Sequence, residues 1–213
     1  ATLFFDEPMN LYAGAGALGV CYDDYNADNF DHAKLDFIHG AVISMTQTGK
    51  RPIESNAVMP GTPAWGADFK KASIHAFNRS LGIGAQGASM PYRYNYLSLD
   101  DTYKDAYGLP LLRMTYNFTD QDRALFAFIT GKIEEAARAM NPKGMVSKPN
   151  AKDYNIVPYQ TTHNTGGTLM GESPDDSVVN SYLQHWDADN LFVVGAGNFP
   201  HNGGCNPTGT VGA

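Results

Sequence analysis

The sequence predicts an α+β fold, an antiparallel sheet flanked by helices, and three stretches carry that prediction. Residues 92–100, YRYNYLSLD, alternate Tyr92, Tyr94 and Tyr96 with Arg93, Asn95 and Leu97, the period of two that marks a strand. After a turn signal at Gly108-Leu109-Pro110, LLRMTYNF reads as a second strand, and the short connection pairs the two antiparallel. Residues 120–140 then carry Leu125, Phe128, Ile129, Ala136 and Met140 at helical spacing. Thr119 or Asp120 is placed to cap that helix, and Asp122 lies in its first turn, where a carboxylate favours the helix dipole.

The remaining elements follow in chain order. Residues 1–30 are rich in glycine and aspartate and read mostly as loop. The stretch HAKLDFIHGAVISMTQTG ends in a strand over Ala41–Thr46. Pro52, Pro60 and Pro63, with glycines nearby, make residues 50–66 an irregular connection. DFKKASIHAFNRSLGIGAQ reads as a short helix followed by a strand near Leu81. A polar stretch, NPKGMVSKPNAKDYN, follows the long helix. NLFVVGAG, residues 190–197, then reads as a buried strand running into a glycine turn.

Composition removes several function classes. The 213 residues suffice for one large or two small domains with a real core. Charged residues are 17%, below the usual quarter, which points to an interior-rich chain. The net charge of −7 comes with no basic patch, so a nucleic-acid partner is not expected. No apolar run reaches the roughly 18 residues of a membrane span, and the start, ATLFFDEPMN, has no basic n-region of a secretory signal. Cys21 and Cys205 make neither a disulfide framework nor a zinc pattern, so the compartment is not legible from them. Asn78-Arg79-Ser80 and Asn117-Phe118-Thr119 match the glycosylation sequon, which has meaning only in a secreted eukaryotic protein.

Four motifs carry chemistry or imitate it. GAGALG, Gly14 to Gly19, fits the dinucleotide fingerprint in letters, but DEPMNLYA before it is a poor strand and VCYDDYNADNFD after it a poor helix. A closely packed glycine loop is the better reading; a nicotinamide enzyme is the minor alternative. The six histidines, His32, His39, His75, His163, His185 and His201, include no His-x-x-x-His pair, so no metal site is expected. Spacing alone leaves a cluster of His163, His201 and Cys205 open. His163 has a distinctive setting, HNTGGT, whose glycines let a backbone approach a flat partner closely. Held there, a histidine can act as a general base near neutral pH, although taken alone a hydrogen-bonded structural histidine is the commoner case. Asn206 precedes Pro207, which biases it toward an extended backbone and a fixed side-chain direction. A neutral amide there can donate to a substrate oxygen, and ligand sites often lie beyond the ends of buried strands.

In order, His163 with Gly166-Gly167, Met170-Gly171, Asp176-Ser177-Val178-Val179, Asn190 to Ala196, Phe199-Pro200 and Asn206-Pro207-Thr208 resemble the C-terminal part of the glucose–methanol–choline (GMC) family of flavin oxidoreductases. FFDEP, GAGALG, GIGAQG and YGLPLLR are similar to its branch of large flavoprotein subunits of gluconate, fructose and sorbitol dehydrogenases. The resemblance implies FAD as cofactor and oxidation of a sugar, sugar acid or polyol hydroxyl. By position His163 would be the base and Asn206 its partner on the substrate oxygen, with Gly195, Ala196, Asn206, Pro207 and Thr208 near the flavin. It divides the chain into a substrate-domain portion, 1–158, and a flavin-facing segment, 159–213. It implies a small subunit and a cytochrome c subunit, or a quinone, as electron-accepting partners, and by analogy a periplasmic or inner-membrane-associated setting. The family's FAD fingerprint on a βαβ unit and the closing helix after Asn-Pro-Thr are expected to lie outside this chain. Ala196 stands where many members have an acidic residue, and Cys205 where a bulkier one is expected. The alternative is a family-derived binding scaffold without the cofactor half.

Overall fold

The computed structural model describes residues 1–10, 19–46, 57–147, 152–157 and 163–213. They form two compact units, residues 1–87 with 124–150 and residues 88–123 with 151–213. The expected boundary at 158/159 lies outside the described residues, as do Gly14 to Leu18 of GAGALG.

The first unit is built on a five-stranded antiparallel sheet. Its strands are β1 (Thr2–Phe4), β2 (Val20–Tyr22), β3 (Ala41–Thr46), β4 (Ser80–Gly87) and β7 (Gly144–Val146), in the order β2-β3-β4-β1-β7. β3 has the bounds its sequence predicts. β1 and β2 lie in the region expected to be loop, and β7 in the polar stretch after the helix; at three residues each they are too short to show a period. Their pairing partners supply what their own pattern lacks: Leu3 faces Leu81 on one side and Met145 on the other. Helix α1 (Gly66–Ala76) leads into β4, and the Ser80 hydroxyl donates to the Ala76 carbonyl at 2.8 Å across the junction.

Helix α2 (Asp120–Ala139) supplies the other side of this core from Ala124 onward. Its buried seam is Leu125, Ile129, Ile133 and Ala137. The expected stripe through Ala136 and Met140 is corrected here, since Ala136 is half-buried and Met140 exposed. The seam follows the i+4 row, which is inclined to the helix axis, so it veers from the straight line that leads to Met140. Ile129, Ile133 and Ala137 join Leu3, Ala41, Ile43, Leu81 and Ile83 in one cluster. Fully burying an aliphatic side chain of this size contributes about 1.5–3 kcal/mol. Ile43 is 0% exposed at the middle of β3. Ile43→Ala is expected to lower the unfolding free energy by about 2–5 kcal/mol, read from the denaturant midpoint at unchanged slope. Beside the cluster, Phe30 stacks on Phe128 at 5.7 Å between ring centres, with Tyr25 edge-on to both.

The second unit holds a two-stranded ribbon, β5 (Tyr96–Lys104) and β6 (Pro110–Thr115), paired antiparallel as predicted. The strand begins at Tyr96 instead of Tyr92, because residues 92–95 close a turn in which Asn95 N–H donates to the Tyr92 carbonyl at 2.9 Å. The ladder is irregular between Leu99 and Lys104. There the Asp100 carboxylate accepts from the Tyr103 and Thr102 amides, which lowers its pKa below the ordinary carboxylate value. The α2 cap also belongs to this unit: Thr119 N–H and hydroxyl donate to Asp122 at 2.8 and 2.9 Å, and Asp122 N–H returns a bond to the Thr119 hydroxyl. Thr119, not Asp120, is therefore the cap.

Two expectations at the chain's end are corrected. Residues 190–197 form no strand: the Gln184–Phe192 bridge is isolated, and Leu191, Phe192 and Val194 are exposed. Pairing there stops at that one bridge, flanked by the bonds from His185 N–H to the Leu191 carbonyl and from Val193 N–H to the Leu183 carbonyl, which is too short for a ladder. A helix does follow Asn206-Pro207, over Thr208–Gly212, and is α3. Among the described residues no helix is long and apolar enough to cross a membrane.

Candidate active site

Two turns from the second unit meet here, and hydrogen bonds from backbone and small polar side chains join them. The first turn starts at His163, which is half-buried. Gly166 has φ +80°, and a Cβ on it would stand 2.9 Å from the Pro91 side chain, so both conformation and space require glycine. Farther along, Thr168 N–H donates to the Gly197 carbonyl at 2.9 Å and the Thr168 hydroxyl to Asn198 Oδ1 at 3.0 Å. A Cβ on Gly197 would lie 2.6 Å from that hydroxyl, so the contact exists only because residue 197 has no side chain. Met170 N–H adds a bond to the Asn198 carbonyl at 3.1 Å. Asn198 is 1% exposed, and its Nδ2 donates to the Val193 carbonyl at 2.6 Å, which holds the 193–198 turn closed from within.

The second join lies at His163 itself. Asn202, 9% exposed, donates from Nδ2 to the His163 carbonyl at 2.8 Å across 39 residues. Its Oδ1 accepts from Gly204 N–H at 3.0 Å, and its backbone exchanges two bonds with Ser89. Four residues on is Asn206, exposed, followed by half-buried Pro207 and exposed Thr208, the first residue of α3. Of the residues singled out from sequence, the main chain of His163 is thus joined to the loop that carries Asn206. Gly195 and Ala196 are joined through Asn198 to the Thr168 turn. His163, His201 and Cys205 do not gather: among the described residues no group of three His, Cys, Asp or Glu could hold a metal. No motif or spacing in the sequence singles out Asn198 and Asn202. Their sole signal was an asparagine beside glycines, in GAGNFP and HNGG.

The family model for GMC oxidoreductases matches residues 91–213, which contain both turns. The chain belongs to the GMC oxidoreductase family. The chain is 45% identical over 206 residues to the gluconate 2-dehydrogenase flavoprotein of Pantoea cypripedii, covering 96% of this chain and 34% of that one. It is 36% identical to the 2-methyl-1,2-propanediol dehydrogenase of Mycolicibacterium austroafricanum, over 96% of this chain and 36% of that one. It is 33% identical to the fructose dehydrogenase large subunit of Gluconobacter japonicus, over 62% of this chain and 23% of that one. This GMC chain thus spans about a third or less of the length of these relatives. The family match runs through every residue from His163 to Thr208 on which the site was built.

Proposed function

We propose that this chain carries the substrate-facing part of the active site of an FAD-dependent enzyme that oxidises a hydroxyl of a sugar, sugar acid or polyol. The observation that carries the reading is the Asn202–His163 hydrogen bond, which sets the His163 turn against the loop leading to Asn206. His163 takes the substrate's hydroxyl proton, and the Asn206 amide donates to the same oxygen as charge develops on it. FAD, when bound, supplies the hydride acceptor at flavin N5.

The residues present fit such a group. A flat ring system needs a backbone it can approach. Gly195, at φ 113° and ψ −171°, has nothing within 4 Å of where a Cβ would stand, and this is backbone geometry that only glycine adopts readily. Asn206 and Thr208 are exposed beside half-buried Pro207. Gly195, Ala196, Asn206, Pro207 and Thr208 would hold the flavin side. The names of the relatives support both halves of the proposal: one is a flavoprotein acting on gluconate, one acts on a diol, and one is the large subunit of a fructose dehydrogenase. The last name also supports a partner subunit, and a cytochrome c subunit or a quinone is the electron acceptor we propose.

The test is anaerobic mixing of the purified full-length protein with gluconate, fructose, sorbitol and small diols in turn. Flavin absorbance is expected to bleach with at least one of them and not with reduced nicotinamide. A protein with no flavin absorbance would favour a binding scaffold, and reduction by nicotinamide alone would favour a different enzyme class.

A further inference from the structure

We propose that Asn202 is a positioning residue for this reaction, one side chain that sets the direction of both His163 and the loop carrying Asn206. The inference rests on the proposed roles of those two residues and adds a third that touches neither substrate nor flavin.

Asn202 uses its polar groups in a specific way. Both side-chain partners are backbone atoms, the His163 carbonyl at 2.8 Å and the Gly204 amide at 3.0 Å. Its own amide and carbonyl are taken by Ser89, at 2.9 and 3.1 Å. Asn202 is therefore anchored by its main chain and reaches out with its side chain in two directions. Toward His163 it fixes the peptide plane that follows the histidine Cα, and with it the direction from which the imidazole leaves the backbone. Such a hold is needed, because Gly166 and Gly167 follow within four residues and glycine gives the chain little stiffness of its own. Toward Gly204 it closes a turn over Gly203-Gly204, with Gly204 at φ 71°, and so aims the chain at Cys205 and Asn206. The site is 9% exposed at Asn202, so water competes weakly for either bond.

Asn202→Asp separates the two functions. The carboxylate keeps an acceptor for Gly204 N–H and puts an oxygen against the His163 carbonyl, where a donor is required. In the full-length, flavin-loaded protein the variant is expected to reduce flavin with substrate on the order of 10- to 100-fold more slowly, the loss that follows a displacement of about 1 Å at a reacting group. KM should stay within about twofold, since the lost interaction matters in the transition state. Asn202→Ala, which loses both bonds, serves if the aspartate variant does not fold: it should be slowed at least as much, and wild-type turnover in it overturns the inference equally. A structural role and a positioning role part in the double variant: combined with His163→Ala, Asn202→Asp should add no further slowing, because it acts through the missing ring. Wild-type turnover in Asn202→Asp overturns the inference, as does an equal further slowing in the double variant. A loss that follows flavin content alone, with normal turnover in the loaded fraction, overturns it as well. If His163→Ala itself turns over normally, the general-base reading fails and takes this inference with it. A slow His163→Ala beside a normal Asn202→Asp leaves that reading standing and removes only Asn202.

Discussion

His163→Ala is expected to slow substrate reduction of the flavin by about 10²- to 10⁴-fold, the range that a positioned general base contributes. A hydride cannot leave a carbinol carbon readily while the hydroxyl keeps its proton, so the proton must have an acceptor at the moment of transfer. Removing the imidazole leaves that task to solvent. The fold should be indifferent to the loss. The hydrogen bond that ties this position to Asn202 uses the His163 carbonyl, which alanine keeps, and the residue is only half-buried. Rapid mixing under anaerobic conditions gives the rate, and the visible spectrum before mixing gives the flavin content. Unchanged reduction at full flavin content would remove His163 from the chemistry.

Asn206→Ala is expected to lower turnover by about 10²- to 10³-fold, the loss seen when one donor to a developing oxyanion is deleted. The residue is exposed in a turn that Pro207 stiffens, four positions past the Asn202 anchor. Asn206→Asp should be at least as slow although it is the smaller change in shape. Its carboxylate offers acceptors where the reacting oxygen needs a donor, and it brings like charge to the alkoxide-like transition state. A histidine at the same place can donate and should retain part of the rate. An aspartate variant faster than the alanine variant would show that Asn206 does not act by donating a hydrogen bond to the substrate.

Legibility in the sequence followed the range of the interaction. β3 and the length of α2 were readable because a six-residue strand and a twenty-residue helix show their own periods. β1, β2 and β7 were not, because three residues have no period and their strand character comes from neighbours far along the chain. The apolar run at residues 190–197 misled for the opposite reason: its letters suit a strand, but pairing needs a partner that letters do not report. At the site, His163 and Asn206 were legible as residue types beside glycine and proline. Asn202 and Asn198 were not, since what distinguishes them is a side-chain bond into the other turn, from Asn202 to the His163 carbonyl and from the Thr168 hydroxyl to Asn198. An amide that bridges two loops has no spacing rule.

The strand order of the first unit has a consequence for how the chain acquires its fold. β1 lies between β4 and β7, so Thr2 pairs with Gly82 on one edge and with Val146 on the other. During synthesis β1 leaves the ribosome before either partner. At about 5–20 residues per second it waits on the order of ten seconds for the second of them. Throughout that interval one edge of the nascent sheet offers unpaired amides and carbonyls beside the apolar side chain of Leu3, the kind of edge that recruits other chains. Such long-range closure also places the unit among slow folders by topology. Expression yield should therefore depend on chaperone supply and growth temperature more steeply than the stability of the finished molecule would suggest.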